Sequence, residues 1–275
     1  MQPGAGPPAR RALKSQPRDL LSGMTALPTP LAVLLLAFTH GLLCAAFCAY
    51  LHPHERLLPL QAAAALLALY AVGRAAVERA GGAPAARRRR RAWLLALAAS
   101  GALSCLGAGA ALELLAAPPG AFARYVATDP PRSRQALVCF GVFLLLDLLV
   151  GFCDYAELVD PATGWAHHAF FVCAGAWTLS QGACGFFLGA AVVEVPTLVL
   201  GLGALSSALA SDALFGATFV ALRLAYTAWY TARMLREGPQ SLALIMLPVC
   251  ALHVAWFYTW WRGSSSSSGS AAKAD

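Results

Sequence analysis

The chain has 275 residues, of which 59% are hydrophobic and 12% charged, and its mean hydropathy is +0.63. Soluble domains are roughly 45–50% apolar and about 25% charged, so a soluble enzyme and a nucleic-acid-binding domain are both excluded. The formal net charge of +7 is instead read as a determinant of topology and lipid contact.

Residues 1–27 are rich in Pro, Gly and Arg, and read as a disordered cytosolic tail; an Arg-rich transit peptide is the alternative. Eight apolar runs follow, at 31–51, 57–77, 92–117, 135–152, 165–181, 182–209, 212–235 and 242–261. Runs of this length in lipid must satisfy their own backbone, so they are helices. The expected fold is an all-α polytopic membrane helix bundle of about seven or eight transmembrane helices. Residues 28–91 supply two N-terminal spans and a basic loop, and 92–262 form the main membrane domain. The tail 263–275 holds five consecutive serines and reads as a solvated, disordered end.

The loop after the fourth span is acidic, with Asp154, Glu157 and Asp160. Arg87–Arg91, immediately before the third span, reads as a topology determinant. With a cytosolic N-terminus, 13 of the 20 Lys and Arg residues fall on the cytosolic side and six on the other, with Arg223 inside a span. The bias puts both termini in the cytosol. Trp256, Tyr258, Trp260 and Trp261, followed by Arg262, read as an interfacial aromatic belt.

The eight cysteines form no CxxC pair and lie mostly in apolar runs, where they act as small hydrophobes. The six histidines include one adjacent pair, and their scatter argues against a His-box di-iron enzyme. No metal site is expected.

Charged groups in apolar helices are costly, at least about 2.5–3.5 kcal/mol on insertion scales, so their default reading is functional. Asp147 interrupts an otherwise apolar octet, and Glu194 lies two residues before Pro196. Arg223 is followed by Tyr226, Trp229 and Tyr230, while Glu113 and His253 lie in the third and eighth runs. Arg223 paired with Glu194 or Asp147 as buried glue between helices is the structural alternative. His167 and His168 diverge by about 100° on a helix, so one can face a cavity while the other meets a neighbouring helix. Imidazole chemistry near neutral pH suits them to proton transfer. Pro196 should bend its helix beside Glu194, and Gly185 and Gly189 match a close-packing GxxxG pattern.

These polar positions, in this order, resemble the TLC domain family. The matching pieces are Asp147 in an apolar helix, Gly164-Trp165-Ala166-His167-His168, Glu194-Val195-Pro196-Thr197, and Arg223 in an aromatic-rich helix. Residues 183–200 contain only Glu194 as a charged group, whereas the ceramide synthases of this family follow their double His with further His and Asp residues. Trp93 and Ser100 match an early family pattern that here lacks its His. The chain is thus more similar to the smaller TLC-domain-containing proteins. The resemblance implies that the C-terminal six helices form a TLC-type barrel around a lipid-accessible cavity lined by Asp147, His167, His168, Glu194, Arg223, Trp165 and Tyr226. It implies a role in sphingolipid or phospholipid homeostasis, in the endoplasmic reticulum or a related endomembrane. Two readings stay open: lipid binding or handling, and acyl transfer from acyl-CoA to a lipid amine or hydroxyl with His167, His168 and Asp147 catalytic. Proton-coupled transport is a third. Expected partners are membrane lipids and acyl-CoA as co-substrate, with no nucleic acid and no resident cofactor; a homo-oligomer is left open.

Overall fold

The structure is a computed structural model that describes residues 39–45 and 47–271. The expected tail 1–27 and the start of the first span, 31–38, lie outside the described residues, as do 272–275. Among the described residues there is no strand, and seven long helices follow one another. They are α1 (Pro53–Ala80), α2 (Pro84–Leu115), α3 (Pro131–Asp154), α4 (161–180), α5 (Cys184–Leu205), α6 (212–237) and α7 (Gln240–Ala271). A short helix, Ala121–Val126, lies between α2 and α3.

Five of these, α1, α2, α3, α5 and the Gln240–Arg262 part of α7, are long and apolar enough to cross a membrane. The chain is therefore a helical membrane protein. α4 and α6 are the exceptions, and they carry His167, His168 and Arg223, which lower the apolar character of their helices. The helix of α7 continues through the serine run to Ala271.

Polar contacts sort the connections onto two ends of the bundle. At one end, Arg134 at the start of α3 pairs with Glu55 in the first turn of α1 at 2.8 Å and with Asp129 at 2.8 Å. Gly185 at the start of α5 donates its N–H to Thr128 O at 2.9 Å, and Gly120 donates to Glu237 at the end of α6 at 3.3 Å. At the other end, Arg91 pairs with Asp154 at 3.3 Å and Arg88 with Glu157 at 3.0 Å. There Gly201 of α5 lies against Trp93, and Gly216 of α6 against Trp260 of α7. Successive helices thus alternate in direction. The five-arginine segment is not a free cationic patch, because Arg87 and Arg91 also hold Glu78, at 2.8 and 3.0 Å.

Within lipid, helices associate through close packing rather than through apolar burial, and small residues let backbones approach. A Cβ on Gly107 of α2 would stand 2.4 Å from the Val192 nitrogen of α5, and one on Gly185 would stand 2.1 Å from Tyr125 O. Gly189 is equally filled, by Leu114 and Tyr230. Gly109, by contrast, has open space where a Cβ would go.

α5 is interrupted at Pro196. Residues Cys184–Ala190 are α-helical, Ala191–Glu194 tighten into a 3-10 turn, and Val195–Leu205 resume the α-helix with Pro196 in the new first turn. A proline donates no hydrogen bond to the preceding turn, and its ring crowds that turn's carbonyl. α4 and α6 depart from α geometry the other way, with wide π turns at Pro161–Ala166 and Phe219–Tyr226. Such turns are energetically poor and recur at functional positions.

Candidate functional site

A cavity of about 80 Å³ lies inside the bundle, and each of α2–α7 contributes to its wall. Most of the wall is apolar, including Leu103, Phe140, Phe171, Phe186 and Met246. The polar groups on it are His167, Thr178, Glu194, Arg223, Thr227 and His253, with Trp256 beside them. His167 follows the π turn of α4, Glu194 closes the 3-10 turn of α5, and Arg223 sits in the π turn of α6. Each irregular turn therefore carries or abuts one polar residue of the cavity.

Arg223 ties the site together. Its Nε donates to Val193 O at 3.1 Å, in the turn where Pro196 supplies no N–H, and its NH2 donates to Thr197 Oγ1 at 2.6 Å. The Glu194 carboxylate is 3.9 Å away, a distance at which charge attraction persists without a direct hydrogen bond. The guanidinium also lies over Phe219 at 5.5 Å and Trp256 at 5.2 Å, within the range of cation–π attraction. A planar, always charged guanidinium with several donors suits such a site better than an ammonium.

His253 of α7 places Nδ1 2.9 Å from the carbonyl of Arg223. A carbonyl only accepts, so Nδ1 carries the proton and Nε2 keeps a lone pair in the neutral ring. Its ring lies 6.1 Å from Trp256, which is 5.2 Å from His167. The His167 Nδ1 is buried with no hydrogen-bond partner. Two imidazoles thus flank one indole at the polar end of the cavity.

The structure divides the residues expected from sequence. His167, Glu194 and Arg223 share the cavity. Asp147, His168, Trp165 and Tyr226 are placed elsewhere, for identifiable reasons. His168 is turned by the helical offset toward α3, where Nδ1 lies 3.8 Å from Asp147 and its ring 6.0 Å from Phe143. Asp147 accepts a hydrogen bond from Tyr155 OH at 3.1 Å. Burial, then the charge of Asp147, pushes the Tyr155 phenol up, so it stays a donor. Tyr226 donates to Gly189 O at 2.7 Å and Tyr230 to Phe186 O at 2.9 Å, tying α6 to α5. Trp165 lies in the π turn of α4, before the cavity.

Trp256 corrects the reading of an aromatic belt. It is three residues beyond His253 and shares its inward face, whereas Tyr258 and Trp261 stay exposed and Arg262 lies over the Tyr258 ring. Helical phase, not clustering in sequence, separates them. Glu55 and Arg134 are another feature that no local pattern reveals, because both fall in expected loops and are far apart in sequence. Arg134 also donates to the Tyr50 carbonyl, so its side chain closes the end of the bundle opposite the arginine run.

No family model matches the chain, and no solved structure matches it. Over 151 residues it is 35% identical to a UPF0182 protein of Parasynechococcus marenigrum strain WH8102. That match covers 55% of this chain but 16% of the relative's length, so the similarity concerns a small part of a much longer protein.

Proposed function

We propose that this chain is a multi-pass protein of the TLC type that binds lipid in an intramembrane cavity and acts in sphingolipid or phospholipid homeostasis. The observation that carries the reading is a cavity walled by all six C-terminal helices, apolar along most of its length and polar at the end held by Arg223. Pockets for amphiphilic ligands combine such an apolar lining with a few fixed polar groups. In this reading the seven long helices α1–α7 cross the bilayer, α2–α7 form the barrel, and the membrane is the endoplasmic reticulum or a related endomembrane. α4 and α6 are tolerated in lipid because their polar groups face inward.

A second reading, acyl transfer from acyl-CoA to a lipid amine or hydroxyl, is favoured by the unpartnered Nδ1 of His167 on the cavity wall. As the acceptor oxygen or nitrogen attacks the thioester carbonyl, its proton would pass to imidazole, and the CoA thiolate would leave and take that proton. His253, with its lone pair on Nε2, joins His167 as a candidate base.

Lipid extracted from the purified full chain tests the cavity. Co-purified lipid that falls with Arg223→Gln supports binding, and protein free of lipid in every membrane source overturns it. Lipidomics on cells carrying wild type, His167→Ala or His168→Ala separates the two readings. Changed acyl profiles with His167→Ala favour transfer; unchanged ceramide and phospholipid profiles in both, at equal expression, remove it.

A further inference from the structure

Away from the internal cavity, an open groove of about 460 Å³ runs between the start of α6 and the end of α7. We propose that it is a second lipid site, which takes a phospholipid with a quaternary ammonium headgroup from the leaflet on the arginine-rich side. One wall is the small-residue face of α6, including Gly216 and Ala217, and the other is aromatic, made by Phe257, Trp260 and Trp261. Asp212 stands at its end.

The aromatic wall is held in place by packing. A Cβ on Gly216 would come within 2.6 Å of the Trp260 ring, so the indole rests on the backbone of α6. Phe215 meets Trp260 edge-on at 5.6 Å, and Phe257 lies 5.8 Å from Trp260 and 6.1 Å from Trp261. These contacts keep the rings as a fixed surface. Trp261 is exposed along one side.

Charge decides the occupant. Of the arginines of this end, Arg74, Arg87, Arg88 and Arg91 are engaged by Glu78, Asp154 and Glu157, and Arg262 lies over the Tyr258 ring. Among the described residues no ion pair involves Asp212, which leaves a lone exposed carboxylate beside three aromatic rings. A hard divalent cation would need several oxygen ligands, and this groove offers one carboxylate. A primary ammonium would give up hydrogen bonds to water for ring faces that hardly accept them. A quaternary ammonium donates none; it needs a counter-charge and aromatic faces, which this groove supplies. The apolar part of α7 ends at Arg262, and Trp residues at the end of an apolar span lie at headgroup depth. The first part of the lipid's acyl chains would then run along Ala217 and Val220, which line the groove farther from Asp212.

Tryptophan quenching tests the site on the full chain reconstituted in phosphatidylglycerol bilayers. Dibrominated phosphatidylcholine, phosphatidylethanolamine or phosphatidylglycerol is titrated in, and the signal of a Trp260→Phe/Trp261→Phe variant is subtracted to isolate the groove. The expected result is half-quenching at about three- to fivefold less phosphatidylcholine than phosphatidylglycerol. Asp212→Asn should erase most of that preference. Ala217→Phe, at an exposed position on the groove wall, should erase it by occupying the space. Equal midpoints for the choline and glycerol lipids overturn the proposal, as does a preference that survives Asp212→Asn. Equal midpoints for choline and ethanolamine overturn the quaternary-ammonium assignment. Absence of any groove-specific quenching means that protein fills the groove, and overturns it too.

Discussion

His168 Nδ1 and Asp147 Oδ2 lie 3.8 Å apart behind the cavity wall, while the adjacent His167 forms part of that wall. The pair joins α4 to α3 and, through Tyr155, to the loop that follows α3. Asp147→Asn keeps an acceptor for Tyr155 but removes the charge beside His168. The hydrogen bond that Tyr155 donates to the carboxylate is charge-assisted and contributes about 1.5–3 kcal/mol, against about 1 kcal/mol for a neutral acceptor, so the melting temperature in detergent should fall by roughly 2–6 °C. Co-purified lipid should stay within about twofold of wild type, because the cavity wall is untouched. A tenfold loss of lipid without a thermal shift would instead place Asp147 in contact with ligand.

Arg223 serves a different purpose from an ordinary buried ion. It supplies hydrogen bonds to Val193 O and Thr197 and lies between two aromatic faces. Arg223→Lys keeps the charge but cannot make both hydrogen bonds in the same plane. Retained lipid, measured by mass spectrometry, should therefore fall about tenfold in Arg223→Lys, equivalent to roughly 1.4 kcal/mol. Wild-type retention in the lysine variant would reduce the residue's role to its charge.

The buried Glu55–Arg134 pair gives an ordering of stabilities. Arg134 answers both Glu55 and Asp129, so Arg134→Met strands two carboxylates and Glu55→Gln weakens one contact. Breaking a buried pair from one side costs about 3–5 kcal/mol, whereas replacing both partners with apolar residues is often neutral. Thermal unfolding should rank wild type first and Glu55→Gln next, then Glu55→Leu/Arg134→Met, which still leaves Asp129 without its cation, with Arg134→Met lowest. A melting temperature for Arg134→Met equal to wild type would show that the cluster contributes nothing to stability.

These residues mark how far the sequence could be read. The helical architecture is legible because lipid demands long apolar runs, and the described helices follow those runs, although α2 begins inside the expected basic loop and α7 runs on into the serine tail. Glu194 and Arg223 stand out for the same reason: a charge within an apolar run violates the surrounding pattern. Helical phase was harder to use. Asp147 and His168 share that signal with His167 but point to a helix interface, and Trp256 resembles its exposed neighbours in composition. Facing directions depend on neighbouring helices and on π turns, which leave no mark in residue type. Glu55 and Arg134 carried no local signal at all, because their partnership exists only after α1 and α3 are brought together.

Two glycines of α2 offer a paired comparison. Gly107 has no space for a Cβ, which would meet the Val192 backbone at 2.4 Å, whereas Gly109 has open space. Gly107→Ala should destabilise by about 1–3 kcal/mol, because a backbone neighbour cannot move aside cheaply. Gly109→Ala should be neutral or stabilise by about 0.5–1 kcal/mol, since alanine favours the helix. Thermal melts of the two variants provide the check, and equal effects would contradict the close approach of α2 and α5.

The alternation of ends makes a topological prediction. The end that gathers residues 78–91, 154–160 and 206–212 holds the arginine run, and the opposite end holds Glu55, Asp129, Arg134 and Glu237. Arg and Lys bias assigns the former to the cytosol. The chain has no asparagine, so an inserted Asn-Gly-Ser tag is the sole N-glycan acceptor. A tag placed in the connection between α2 and α3, with spacer residues, should be glycosylated in microsomes. The same tag after α7 or between α3 and α4 should stay unmodified. Glycosylation after α7 alone would mean that α4 or α6 fails to cross, and glycosylation at both latter sites would invert the whole bundle.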